Sequence, residues 1–331
     1  MRYITRKVVI FVLTLWAALT LNFALPRLMP GSPLDAALSN LQANGVQVTN
    51  AMRDALAAQL GGTDQSWLAQ YFSYLRNTLT FNFGSSFSFP TQSVAHTIWQ
   101  AIPWTLCLVG MTTILAFVLG TLLGVWAGWR RGRRSDTTIT VGATFFAAFP
   151  PFWFGMLLLF VFAFKIPIFA SQGGYSPGLT PNLGLSFLSD AVQHSVLPAL
   201  TLTVTSLSGW VFGMRNNMIN TLGEDYVTFA EANGLMSKTI ALLYAARNAM
   251  LPNVTAFGLS LGAVVGGSVL VEGIFGYPGL GNLLYIAVNN HDYPLMQALF
   301  MVITVSMLIT IFIVDLLYVR LDPRVRREVA A

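Results

Sequence analysis

The sequence predicts an all-α integral membrane protein, and both composition and hydropathy indicate this class. Hydrophobic residues make up 55% of the 331 positions and charged residues only 9%, whereas soluble domains carry roughly 25% charge. The mean hydropathy is +0.63. A helix that crosses the hydrocarbon core of a bilayer needs about 20 apolar residues, and stretches of about that length recur along the chain.

Apolar stretches along the chain predict about six transmembrane helices. The basic start of the chain resembles a signal peptide, but no small-residue cleavage pattern follows it, so the first stretch is predicted to be an uncleaved span. Pro150 and Pro151 should kink the third stretch, because proline removes a backbone donor and clashes with the preceding turn. The stretches are 9–25, 104–129, 139–164, 196–214, 251–271 and 295–317.

The segment between the first two spans, residues 31–97, is more polar. It contains a short amphipathic helix at 50–60 that should end at Gly61 and Gly62. Apolar residues then recur at helical spacing over 67–79. We expect a small domain or a segment lying on the membrane surface, because the region is too interrupted to span.

The distribution of Lys and Arg predicts the orientation in the membrane. With six spans, fourteen of the 18 basic residues fall on the side that carries both termini. Because cytoplasmic loops carry an excess of Lys and Arg, both termini are predicted to be cytoplasmic and residues 31–97 extracytoplasmic. This excess also explains the basic pI without nucleic acid. The predicted parts are 1–30 (terminus and first span), 31–97, a transmembrane core at 98–319 and a cytoplasmic tail at 320–331.

Residues 218–252, called the helical connector below, form a mixed polar insert between two apolar segments. A helix should begin at Glu224 and Asp225 and stop at Gly234, as helices often do at glycine. A second helical run follows from Ser237. We expect two short helices with a tight elbow, whose exposed apolar side chains dock into a partner; the alternative is an ordinary solvated loop. The side chains expected to be exposed are Tyr226, Val227, Phe229 and Leu235.

Three glycines at four-residue intervals, Gly258, Gly262 and Gly266, lie in the predicted fifth span. Small residues at this spacing let helix backbones approach closely. The stripe therefore predicts a helix-packing face, either within this subunit or against a second subunit or a mobile gate.

Charged and catalytic signals are scarce in the apolar segments. Glu272 and Lys165 are predicted at the outer ends of spans, where long side chains reach the interface. A proton- or ion-coupled carrier needs ionisable residues near the midplane, and the sequence shows none there. It also lacks HExxH and Walker A patterns. The lone Cys107 gives no disulfide or thiol metal site. No catalytic residue, metal site or nucleotide site is predicted in this chain.

Four collinear blocks resemble a known family. They are YFSYLRNTLTFNFGSS with IPWTL (within 68–106), DYVTFAEANGLMSKTIALLYAARNAMLP (225–252), VEGIFGYPGLG with DYPLMQA (271–281 and 292–298), and VDLLYVRLDPRVR (314–326). Together they resemble the permease subunit of an ATP-binding-cassette importer, in the peptide/nickel branch, of the dipeptide and oligopeptide permease B type. The resemblance implies a type I importer permease fold that imports di- or oligopeptides; an oligosaccharide, nickel or another small solute is the alternative.

The resemblance also implies partners and site residues. The partners are a second permease subunit that completes a heterodimer, two cytoplasmic ATP-binding subunits that hold ATP and Mg²⁺, an extracytoplasmic solute-binding protein, and membrane lipid in a bacterial or archaeal plasma membrane. The residues implied for contact with the ATPase are Asp225, Tyr226, Val227, Ala230, Glu231, Gly234 and Leu235. Those implied for the outer gate or for contact with the binding protein are Tyr277, Pro278, Gly279 and Asp292.

The sequence departs from the family pattern in the helical connector. Thr228 and Phe229 stand where the family begins Glu-Ala, and Glu231 and Asn233 stand where basic residues are common. Asn82 replaces an Asp of the outer-loop block. The more acidic connector predicts a matched ATPase partner. A secondary transporter or channel acting alone remains an alternative, and it would need inverted repeats with broken helices. A membrane anchor is a further alternative, and it would not need the connector.

Overall fold

A computed structural model describes residues 2–28, 34, 38–39, 42, 47–59 and 66–321 of the chain. These residues are almost entirely helical. No strand occurs among them, and a single antiparallel bridge joins Ser85 to Ser93. The all-α prediction is confirmed.

The helices of the described residues follow one another with short connections. Two π-helical segments, Phe160–Lys165 and Ile240–Ala246, continue α6 and α9 directly. In chain order the helices are α1 (Arg2–Leu28), α2 (Asn50–Gln59), α3 (Trp67–Leu79), α4 (Val94–Trp129), α5 (Arg134–Ala147), α6 (Pro151–Leu159), α7 (Leu185–Leu222), α8 (Asp225–Ala232), α9 (Ser237–Thr239), α10 (Arg247–Val264), α11 (Val269–Ile274), α12 (Leu280–Asn289) and α13 (Tyr293–Leu321).

Four of the described helices are long and apolar enough to cross a membrane, or five if α5 and α6 count as one broken span. The continuous spans lie in α1, α4, α7 and α13. α5 and α6 meet at a bend of 90°. The predicted kink at Pro150 and Pro151 is thus confirmed: Pro150 is the extended N-cap residue and Pro151 opens α6, where its missing N–H leaves no hydrogen bond unmade.

The predicted fifth span, 251–271, has a different structure. Its helix, α10, ends at Val264, and the chain turns at Gly267, whose φ of +64° favours glycine. A second short helix, α11, then begins at Val269. Gly266 therefore lies beyond the end of α10, so the predicted stripe keeps only Gly258 and Gly262 on the helix, and of these Gly262 is buried.

The chain divides into two compact units, of which the first contains Met1–Thr105, Val265–Gly273 and Pro278–Ala331. In this unit α1 packs along α13, and the Asn22 side chain donates a hydrogen bond of 2.8 Å to the Gln297 carbonyl. The start of α4, α12 and the start of α13 share a buried apolar cluster. Its members with no exposed surface are Val94, Leu280, Ala287, Leu295, Ala298 and Leu299.

The second unit contains Leu106–Val264 and Ile274–Tyr277. Here α5, α6 and α10 each pack against the long helix α7. The rest of α4 approaches α7 through three glycines at four-residue spacing. A Cβ at Gly124 would lie 2.6 Å from the Met214 Cβ, and Gly120 and Gly128 meet α7 equally closely. This is the close helix approach that small residues permit in membranes, and it lies on a different helix from the predicted stripe.

The described part of the predicted extracytoplasmic segment is mostly α2 and α3. Both helices lie where the apolar spacing predicts them, and α3 matches 67–79 residue for residue. The predicted stop at Gly61 and Gly62 lies outside the described residues, as do residues 322–331 of the predicted tail.

Candidate functional site

The helical connector leaves the end of α7 and forms the predicted pair of short helices. α7 ends at Leu222, and α8 runs over Asp225–Ala232 with Glu224 as its N-cap residue. Glu224 is extended, with φ −80° and ψ 144°. Asp225 occupies the first turn of α8, where a negative charge complements the helix dipole. The predicted helix start is confirmed.

Gly234 forms the elbow after α8. Its N–H donates to the Glu231 carbonyl at 2.9 Å, and the Leu235 N–H donates to the Ala230 carbonyl at 3.3 Å. These two bonds define the Schellman motif, which needs a left-handed residue at the position that Gly234 holds. Gly234 has φ +73°. The predicted glycine stop is therefore confirmed together with its physical cause.

The inner face of the elbow is a small apolar core. Val227, Ala230 and Ile240 are 1%, 2% and 3% exposed. The prediction that Val227 is exposed for docking was wrong: α8 turns this residue and Ala230 toward the second helical run. The partly buried residues that pack around them are Trp129, Leu222 and Tyr244.

Hydrogen bonds also link α8 to the second helical run of the connector. The Asn248 side-chain amide donates to the Tyr226 hydroxyl at 2.8 Å and to the Tyr244 carbonyl at 3.1 Å. The Tyr226 hydroxyl in turn donates to the same carbonyl at 3.4 Å. Tyr226 therefore stays partly exposed while its hydroxyl is used within the connector.

The outer face of the elbow presents apolar side chains to the surroundings. Phe229 is 71% exposed and Met236 is 76% exposed, with Leu235 less so between them. We call these three residues the apolar rim. The carboxylates of Asp225 and Glu231 are also exposed. Met236 belongs to this face although sequence reasoning missed it.

Small residues join the connector to α7. Ala245, Ala246 and Ala249 are buried against Met214 and Met218, both fully buried. Ala245 and Ala246 end the π-helical segment, and Ala249 lies in the first turn of α10. The run of alanines is the sequence signal for this contact, since only a small side chain fits between two closely packed helices.

An ion pair that sequence reasoning missed joins α5 to α7. Arg215 donates from Nε and from one terminal nitrogen to the two oxygens of Asp136, at 2.6 and 2.8 Å. The Gly132 N–H also donates to Asp136, at 3.0 Å. Such two-point contacts add geometric specificity to the charge interaction, so the pair fixes the start of α5 on α7.

The segment 265–292 is built around Glu272. The prediction that its long side chain reaches the membrane interface was wrong, because the side chain is completely buried. It accepts hydrogen bonds from the Gly281 N–H at 2.9 Å, the Ser268 N–H at 3.2 Å and the Thr105 hydroxyl at 3.3 Å. α11 is not among the membrane-crossing helices. Burial raises the pKa of Glu272 above its ordinary value, against the opposing effect of these hydrogen bonds.

Glycines leave the space that the Glu272 carboxyl fills. A Cβ on Gly279 would overlap that carboxyl and the Thr105 hydroxyl, and a Cβ on Gly267 would come within 2.7 Å of it. A Cβ on Gly281 would lie 3.0 Å from the carboxyl carbon of Glu272. The predicted site residue Gly279 is thus required by contacts inside the chain.

Asp292 is the second buried carboxylate of the same segment, and it bonds to residues 86–88 and to the start of α13. It accepts from the Ser88 N–H at 2.9 Å and from the Ser86 hydroxyl, and it caps α13 by accepting from the Leu295 N–H at 3.2 Å. The side chain has no exposed surface. Asp292 is therefore buried within its own chain, and its role as a gate or contact residue stays a prediction.

The other predicted gate residues differ in exposure. Tyr277 is buried, and its hydroxyl lies 3.2 Å from the Ser195 hydroxyl. Pro278 is half-buried. Among the described residues, no group of three or more His, Cys, Asp or Glu side chains is placed to hold a metal ion. The two buried carboxylates hold the backbone of their own chain.

Comparisons with known proteins place the chain in a family. The family model for the binding-protein-dependent transport system inner membrane component matches residues 120–327. The chain belongs to this family. The permease is 34% identical over 326 residues to a putative peptide permease protein of Brucella ovis, covering 98% of this chain and 99% of the relative.

Two further relatives extend the comparison. The oligopeptide transport system permease protein AppB of Bacillus subtilis is 30% identical over 324 residues, 98% of each chain. The di/tripeptide transport system permease protein DppB of Pseudomonas aeruginosa is 30% identical over 347 residues, covering 98% of this chain and 99% of the relative. The permease therefore resembles these relatives over nearly its whole length.

The family match contains both segments described above. The helical connector and the segment 265–292 lie inside the matched range 120–327. As a membrane component of a binding-protein-dependent transport system, the permease works together with other subunits.

Proposed function

We propose that the permease forms half of the translocation pathway of an ATP-driven importer of di- or oligopeptides. The peptide substrate is supported by relatives named as peptide, oligopeptide and di/tripeptide permeases, which match the chain from end to end. A second permease subunit completes the pathway, and a solute-binding protein delivers the peptide.

The observation that carries this proposal is the construction of the helical connector. Its elbow has a packed interior, a glycine that fixes the bend, and an apolar rim left uncovered by the described residues of the chain. Exposed apolar side chains beside buried neighbours are typical of the anchors of a protein interface. In the proposal the apolar rim sits in a cleft of a partner ATPase, where Asp225 and Glu231 add charge contacts at the edge.

The proposed mechanism transmits motion from the ATPase through α7. ATP and Mg²⁺ bind to the partner subunits, and closure of the ATPase dimer moves the connector. Because the connector packs on Met214 and Met218, and Arg215 is paired with Asp136 on α5, its displacement would carry α7 and α5 with it. The excess of Lys and Arg on the side of the connector supports a cytoplasmic position for it and for both termini.

Charge substitution in the apolar rim tests the coupling role. We expect the double variant Phe229→Asp and Met236→Asp to fold, because both side chains are exposed. After expression with its cognate subunits, the variant should no longer co-purify with the ATPase. In proteoliposomes with the binding protein, it should no longer support uptake of labelled trialanine. The matched control is Leu183→Asp, a 92% exposed leucine in the α6–α7 connection, which should leave both unchanged. Normal co-purification of the ATPase with the double variant would overturn the proposal.

Gly234→Pro is a second test of the same proposal. Proline cannot adopt φ +73° and has no N–H to donate to Glu231. Membrane insertion should be intact, whereas peptide uptake and substrate-stimulated ATPase activity should be abolished. A variant with normal uptake would show that the elbow is not the coupling element.

A further inference from the structure

Helix α3 has three distinct faces. The first packs inward through Tyr71, Tyr74 and the buried Thr78. The second is a stripe of apolar side chains spaced four, three and four residues apart, which places them on one side of a helix. Its members are Leu68, Phe72, Leu75 and Leu79, and all except the half-buried Leu75 are at least 66% exposed. The third is exposed and mostly polar: Ala69, Ser73, Arg76 and Asn77.

Contacts with α1 set the position of α3 relative to the membrane. The Tyr71 hydroxyl lies 2.7 Å from the Thr20 hydroxyl, and the rings of Tyr71 and Tyr74 pack on Phe23. Thr20 already donates its hydrogen to the Trp16 carbonyl, so Tyr71 is the donor to Thr20. The apolar stretch of α1 ends at Leu25, before Pro26 and Arg27, and at 1.5 Å per residue Thr20 lies about 8 Å from that end. α3 is therefore held at the level where the hydrocarbon region ends.

Helix α1 also exposes apolar side chains close to its contact with α3. Leu21, one residue after the Thr20 anchor, is 62% exposed, and Trp16 one turn earlier is 57% exposed. A spanning helix turns such residues toward lipid. Helix α3 begins with Trp67, which is 68% exposed, and tryptophan is enriched at membrane–water interfaces. No acidic residue occurs in α3, and Arg76 projects from its polar face.

We propose that α3 lies in the lipid–water interface, with the Leu68–Phe72–Leu75–Leu79 stripe buried among the lipid and its polar face in water. Helices with these two opposed faces lie in the interface plane, about 5–10 Å into the headgroup–acyl boundary. The partner of this surface is the bilayer. α3 then acts as an interfacial anchor, which holds the end of α1 at a fixed depth in the membrane through the Tyr71–Thr20 hydrogen bond.

Nitroxide accessibility tests this placement in the complete transporter. Cys107, the single cysteine of the chain, is first replaced by alanine. Spin labels are then attached at Leu68→Cys or Phe72→Cys on the stripe, and at Ser73→Cys or Asn77→Cys on the polar face. All four positions are exposed, so the labels should not disturb folding. The assembled transporter is placed in nanodiscs, and collisions with oxygen and with a water-soluble nickel chelate are measured.

Residence in lipid predicts a clear contrast between the faces. Because oxygen concentrates in lipid and the nickel chelate in water, the oxygen-to-nickel ratio at 68 and 72 should exceed that at 73 and 77 several-fold. Equal ratios at all four positions, with free access of nickel, would overturn the proposal in favour of a helix in water. Exclusion of both reagents at 68 and 72 would overturn it in favour of a protein partner on the stripe.

Discussion

The helical connector and the segment 265–292 both consist of short helices broken at glycine, yet they are held together differently. The connector has an apolar interior made of Val227, Ala230 and Ile240, while its carboxylates Asp225 and Glu231 face outward. The segment 265–292 has the reverse arrangement. Its carboxylates are buried, and each collects hydrogen bonds from the backbone and hydroxyl groups around it.

This contrast separates a surface that we propose for an external contact from a segment that keeps its own shape. Apolar packing is not directional, so the interior of the connector imposes no fixed bond geometry, and its apolar rim is exposed. Hydrogen bonds to a buried carboxylate are directional, and an unpaired buried donor is costly. The segment 265–292 is therefore fixed by Glu272 and Asp292. Four substitutions test this difference.

The largest effect should come from Glu272→Ala. The substitution leaves the Gly281 and Ser268 N–H groups and the Thr105 hydroxyl without their acceptor. Each buried donor left unpaired costs about 1–3 kcal/mol, so we expect a loss of about 4 kcal/mol, seen as a lower melting temperature in detergent. Glu272→Gln keeps one carbonyl oxygen and should lose less. Equal melting of Glu272→Ala and the wild type would show that the carboxylate does not hold the segment.

Val227→Asp should be the next most damaging change. It places a charge in the apolar interior of the connector, against Ala230 and Ile240, and we expect a loss of about 3 kcal/mol. The control is Phe229→Asp, two residues away on the exposed side, which should change stability by no more than about 0.5 kcal/mol. Similar melting of the two variants would contradict the assignment of inner and outer faces.

Gly234→Ala should have a moderate effect. A side chain there meets no neighbour, but φ is +73°, so the cost is backbone strain of about 1 kcal/mol. Gly209→Ala provides the control, because Gly209 lies within α7 with open space around it and should gain up to about 1 kcal/mol. Thermal melting should show a lower melting temperature for Gly234→Ala and a higher one for Gly209→Ala. A raised melting temperature of Gly234→Ala would argue against the left-handed elbow.

Asn248→Ala should have the smallest effect. It removes two hydrogen bonds at an exposed site, to the Tyr226 hydroxyl and the Tyr244 carbonyl, and water can replace them. We expect a loss of about 0.5 kcal/mol. Tyr226→Phe should match it within that range in the same melting assay. A loss as large as that of Val227→Asp would mean that polar bonds, rather than apolar packing, hold the connector.

Much of the fold follows from local sequence signals. The apolar stretches predict the spans in α1, α4, α7 and α13, the two prolines predict the break between α5 and α6, and Gly234 predicts the end of α8. Each signal acts through a few neighbouring residues. The resemblance to the permease family likewise rests on short blocks, and the whole-length matches confirm it.

The sequence by itself determined that the chain enters a membrane, where its helices break, and which segment forms the connector, because hydropathy, proline and glycine act locally on the backbone. Only the tertiary structure decided that Val227 points inward, that Glu272 is buried, and that Asp136 meets Arg215. Those outcomes depend on residues as far as 167 positions away, such as Thr105 beside Glu272. No local pattern specifies which distant groups will surround a side chain, so its burial and its partners follow from packing.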